Sequence, residues 1–143
     1  MTATDACTIL ADRVDSLAET NPRPRALITA LAAEAAGIRR PPLGVLDLLR
    51  GGADRLRGRG FRRPYDDGTR GQARHFAGVA AATLYLGGGL AHLFLRTAGG
   101  DRPGSADDRL TTRAIEWSRL VRSGELPVTD AGAWIRREIC ACD

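Results

Sequence analysis

Residues 72–98 read QARHFAGVAAATLYLGGGLAHLFLRTA, and the spacing of their apolar side chains decides the fold. At about 100° per residue, Phe76, Val79, Ala80, Leu84, Leu86, Leu90, Leu93 and Phe94 fall in one broad sector. Opposite runs a narrow line of His75, Gly78, Ala82, Tyr85, Gly89, His92 and Arg96. That pattern predicts one long central helix over about 72–98, apolar on its wide face. Gly87-Gly88-Gly89 weakens the prediction locally. Each glycine costs about 1 kcal/mol relative to alanine in a helix interior, and a break there would shift the lower half of the line out of register.

Positions 76–95 carry no formal charge, a length sufficient to span a bilayer. They include His92, Thr83, Tyr85 and several glycines, and much of the remainder is alanine. The reading is a buried helix and no membrane partner.

Working outward, apolar residues recur at helical spacing nearly everywhere, and β-branched runs of period two are missing. Ile9, Leu10, Val14 and Leu17 share a face over residues 5–19. Asn21-Pro22-Arg23-Pro24 separates that helix from a second, which runs to about Ala36 with Gly37 placed to end it. Residues 43–50 make a short amphipathic helix. Ser105 is placed to cap a helix ending near Gly124, with Leu110, Ala114, Trp117 and Val121 as its stripe. Thr129 is placed to cap a last helix over 130–141, with Val128 as its hydrophobic staple. The prediction is one all-α domain over residues 1–143, a bundle of five or six helices around the central one, with an irregular Arg/Gly-rich segment at 51–71.

The chain has 143 residues and a net charge of +4, and all 21 of its basic residues are arginine. Arginine without lysine, with abundant Gly, Ala and Pro, is the bias of a GC-rich coding sequence, so it says little about phosphate binding. Residues 50–74 nevertheless hold Arg50, Arg55, Arg57, Arg59, Arg62, Arg63, Arg70 and Arg74 against Asp54, Asp66 and Asp67. A nucleic-acid site would also need stacking aromatics, and only Phe61 and Tyr65 are at hand. A solvated arginine loop is the simpler reading, and nucleic acid is not the expected partner.

The N-terminus MTATDACTILADR lacks a basic region followed by an apolar core. Cys7, Cys140 and Cys142 are therefore expected as reduced thiols in the cytoplasm, with the C-terminus frayed. No metal is expected. His75 and His92 lie seventeen positions apart, about 25 Å along a continuous helix, and C-x-C is not a zinc-knuckle spacing.

The candidate site is Tyr65–Gly78, YDDGTRGQARHFAG. Asp66-Asp67-Gly68-Thr69 has turn chemistry, and Gln72, Arg74 and His75 occupy the first turn of the central helix, where free N–H groups favour an anion. In a catalytic reading His75 moves a proton, Asp66 or Asp67 orients it, and Arg70 or Arg74 holds an anionic or carbonyl oxygen. Tyr65, Tyr85 and His92 extend the cleft. In a structural reading the same residues cap a helix, and Tyr85 and His92 bond to neighbouring loops.

No nucleophile elbow, P-loop, HExxH or paired-carboxylate motif names a reaction. The expectation is a small cytoplasmic helical protein with a polar cleft at the start of the central helix. It would perform cofactor-independent acid–base chemistry (cyclisation, isomerisation or hydrolysis) on a small-molecule or peptide ligand. A link to bacterial specialised metabolism rests on the coding bias alone. The alternative is a non-catalytic interaction module or homodimer packed through Trp117, Trp134 or the Gly/Ala line. An arginine-loop nucleic-acid binder stands third.

Overall fold

The computed structural model of the chain describes residues 5–40, 43–50, 52–53, 55–87, 89–91, 93 and 102–141. Helix α1, Ala6–Thr20, starts at Asp5, whose side chain accepts from the Thr8 N–H. Helix α2, Pro24–Ala36, opens on the proline and closes on Gly37 at φ 65°, the left-handed residue expected there. Helix α3, Leu43–Leu49, is short, and a 3₁₀ turn follows at Arg63–Tyr65. Helix α4 spans Gln72–Leu86. Helix α5, Ala106–Ser123, is capped by Ser105, which accepts from the Asp108 N–H, and it ends on Gly124 at φ 83°. After a second 3₁₀ turn at Val128–Asp130 comes helix α6, Ala131–Glu138. The chain is all-α, and no strand occurs among the described residues.

Three boundaries differ from the sequence reading. The central helix stops at Leu86, because Gly87 takes φ 87° and ψ 156°, a conformation that residues with a Cβ avoid. Residues 89–91 and 93 are helical again beyond the break. Leu86, Leu90 and Leu93, which the periodicity placed on a buried face, are exposed instead. Periodicity assumes one axis, and the Gly87 turn starts another. At the C-terminus α6 is preceded by the 3₁₀ turn, so Asp130 and not Thr129 holds the N-cap position, and the helix ends at Glu138 rather than 141.

Helix α4 lies in the middle, between α2 and α5. His75 meets Thr111 and Ala80 meets Ser118, so α4 and α5 run parallel. The chain must therefore travel back about 22 Å, the length of fifteen helical residues, before α5 can begin. Phe76 and Trp117 anchor this contact, both fully buried, with ring centroids 5.3 Å apart. Burying each contributes roughly 1.5–3 kcal/mol. The Trp117 indole donates to the Ala131 carbonyl at 3.2 Å, joining the α4–α5 pair to α6.

Helix α6 packs on α1 at a close crossing: a Cβ on Gly132 would sit 2.2 Å from Asp15 Oδ1 and 2.7 Å from the Ala11 carbonyl. Arg136 bonds to both Asp12 and Asp15 across the same seam. A disulfide between Cys7 and Cys140, 133 residues apart, closes one end of it. That corrects the expectation of free thiols at these two positions. The antiparallel run of α1 and α6 brings together cysteines that look unrelated in sequence. Cys142 lies outside the described residues.

The disulfide also holds part of the arginine segment in place. The Cys7 N–H donates to the Arg59 carbonyl, the Ala141 N–H to Gly60, and the Arg62 N–H to Ile139. The Arg62 guanidinium donates to the carbonyls of Cys140 and Arg137. Residues 59–62 are thus a tie between the chain ends, while Arg57, Arg63 and Arg70 stay exposed.

Candidate functional site

The turn ahead of α4 forms as its composition dictates. Asp66 Oδ1 accepts from the Gly68 N–H at 2.8 Å. Asp67 Oδ1 accepts from the Thr69 N–H at 2.8 Å and from its hydroxyl at 2.6 Å. Arg59 closes the loop by donating to the Gly68 carbonyl, and the Gly58 N–H donates to the Arg70 carbonyl. Both aspartates and Arg70 are exposed. Each carboxylate thus serves its own turn, the behaviour of Asx residues in tight loops.

Gln72, buried at 2% exposure, donates its side-chain amide to the Tyr65 carbonyl and so ties the 3₁₀ turn to the start of α4. One turn on, His75 Nε2 lies 2.7 Å from Thr111 Oγ1 and 3.1 Å from the Asp107 carbonyl. A carbonyl only accepts, so the Nε2–H tautomer fits this position. The histidine thereby joins the first turns of the parallel helices α4 and α5.

Tyr65 is half-buried and packs on the core. It also lines a concavity of about 260 Å³ with Pro64, Asp108, Arg109, Thr112 and Arg113. Asp108 is buried and accepts from the Gly104 N–H at 2.9 Å. Arg113 donates to Glu138 at 2.8 Å, pairs with Glu116, and stacks 4.9 Å from the Trp134 ring centre. Arg74 is half-buried. The Tyr85 hydroxyl is buried with no hydrogen-bond partner among the described residues. His92 lies outside the described residues.

The structure therefore gathers Tyr65, Gln72 and His75 with three residues that the sequence reading missed: Asp107, Asp108 and Thr111. One signal for them was legible, since Ser105-x-x-Asp108 is a capping pattern. That α5 starts beside α4 was not legible. No group of three His, Cys, Asp or Glu suited to a metal occurs among the described residues. No described helix is long and apolar enough to cross a membrane.

A cavity of about 680 Å³ lies along α5, lined by Gly89, Ile115, Glu116, Arg119 and Leu120, and it shares Thr112 with the concavity at Tyr65. Trp117 and Trp134 are buried in the chain's own core, so neither offers a face to a second copy. Ala82, on the Gly/Ala line, is buried as well.

The chain matches no family model, no curated protein and no solved structure.

Proposed function

We propose that this protein is a non-catalytic helical interaction module whose contact residues are Leu86, Leu90 and Leu93. One observation carries the reading: these leucines are 37%, 61% and 58% exposed, beside a core in which Leu10, Leu27, Leu31 and Leu110 are fully buried. Adjacent exposed leucines mark a contact surface more often than scattered ones do. Leu86 ends α4, and Leu90 and Leu93 follow the break at Gly87. The most reactive polar side chains of the opening motif support the same view, because the described bonds of Asp66, Asp67 and His75 hold turns and helices together.

A second copy of the chain is the partner the reading names, since an apolar ridge is readily self-complementary about a two-fold axis. Sedimentation over about 1–100 µM, the range of weak specific association, tests it. Self-association that Leu90→Glu and Leu93→Glu abolish supports the homodimer. A parent chain that stays monomeric throughout removes it.

An acid–base enzyme acting on a small molecule or peptide is the second reading. It is favoured by the buried Tyr85 hydroxyl, which has no hydrogen-bond partner among the described residues, and by the concavity at Tyr65 and Asp108. In it His75 keeps the proton-transfer role, and Arg74 and Arg70 the anion-holding one. The cytoplasmic setting belongs to this proposal too. A reducing cytoplasm opposes a Cys7–Cys140 bond, so a thiol count on protein trapped in a lysate tests the setting directly.

A further inference from the structure

We propose that Arg25, Arg119 and Arg122 form a binding site for a phosphorylated small molecule. The three residues line one concavity of about 400 Å³, although Arg25 lies on α2 and the other two on the last turns of α5. All three are exposed, and none has a carboxylate partner among the described residues. Other arginines of this chain are spent differently: Arg39 pairs with Asp47, Arg113 with Glu116 and Glu138, and Arg136 with Asp12 and Asp15. Three like charges around one hollow repel one another. A bound dianion reverses that sign.

The chemistry selects phosphate. Guanidinium forks match phosphate oxygens in bidentate pairs, and several forks around one group fix its orientation. Helix α2 adds to the field, because it begins at Pro24 with no side-chain cap and its positive end lies at Arg25. Ser123 also lines the hollow, but its hydroxyl already donates to the Leu120 carbonyl and accepts from the Glu125 N–H, so it serves the turn. Arg119 and Ser123 also line the 680 Å³ cavity, with Glu116 and Glu125 among its other walls. That places room for the uncharged or cationic remainder of a ligand beside the arginines. The site is independent of the leucine ridge and stands or falls without it.

The test is a calorimetric titration with inorganic pyrophosphate at about 20 mM ionic strength, where screening is weak. It uses the parent chain, Arg119→Gln, Arg122→Gln, and a control carrying Arg57→Gln and Arg63→Gln. The variants sit on exposed side chains, and circular dichroism checks that each is folded. Saturable binding weakened about tenfold or more by each site variant, and left within about twofold by the control, is the expected result. Equal loss in the control would show a general charge effect and overturn the site. So would absent pyrophosphate binding, including the case where vesicles rich in phosphatidic acid bind instead, which would assign the arginines to a lipid surface.

Discussion

His75 Nε2 lies 2.7 Å from the Thr111 hydroxyl, and this bond joins the first turns of two parallel helices that are linked only by a long return segment. Here the predicted catalytic cluster meets the fold's main helix pair. What His75 does is therefore measurable without a substrate.

His75→Ala is expected to lower stability by about 1–3 kcal/mol, since the Thr111 hydroxyl and the Asp107 carbonyl lose a partner in a half-buried place. Urea denaturation measures it. A variant as stable as the parent, or more so, would return His75 to the catalytic reading, because functional groups are often held at a cost to the fold.

The Cys7–Cys140 bond closes nearly the whole chain into one loop. Its removal by Cys7→Ser with Cys140→Ser is expected to lower stability by about 2–5 kcal/mol. Thiol titration of the unfolded parent without reductant should find one free cysteine, and three would refute the pairing.

Two glycines separate close packing from open helix. Gly132→Ala drives a Cβ to 2.2 Å from Asp15 Oδ1 and 2.7 Å from the Ala11 carbonyl, so it should cost about 1–3 kcal/mol by forcing α1 from α6. Gly89 has nothing within 4 Å of its added Cβ. Gly89→Ala should be neutral or stabilise by up to about 1 kcal/mol. Thermal melts of the pair distinguish the two cases.

The Arg39–Asp47 pair sets an acid limit on α3. The Arg39 side-chain and backbone bonds hold the Asp47 carboxyl down at about 2, against an ordinary 3.8. A depressed acid contributes stability that is fully present above its unfolded value, so the contribution should fade as pH drops from about 4 to about 2. Asp47→Asn should lose that part of the acid transition. An acid titration of both proteins, followed by helical signal, checks the sign.

Helix starts and ends were legible wherever one or two residues decide them. Ser105 caps α5, Gly37 and Gly124 end their helices, and Pro24 opens α2, all through local backbone chemistry. The extent of the central helix was not legible, because a glycine triplet allows either a straight helix or a turn. The candidate site was half legible. The turn chemistry of Asp66 and Asp67 follows from their neighbours, whereas the Thr111 and Asp107 partners of His75 come from a helix that begins thirty-one positions later.

By itself the sequence determined the all-α class, most caps and the buried stripe of α5, Leu110, Ala114, Trp117 and Val121, since 3.6-residue periodicity and cap preferences act within a few residues. Only the tertiary structure decided the rest: the Cys7–Cys140 pairing, the exposure of Leu90 and Leu93, the work of His75 and the meeting of Arg25 with Arg119 and Arg122. Each depends on which helices become neighbours. That choice is made by the summed burial of the whole core around Phe76 and Trp117, and no single segment encodes it.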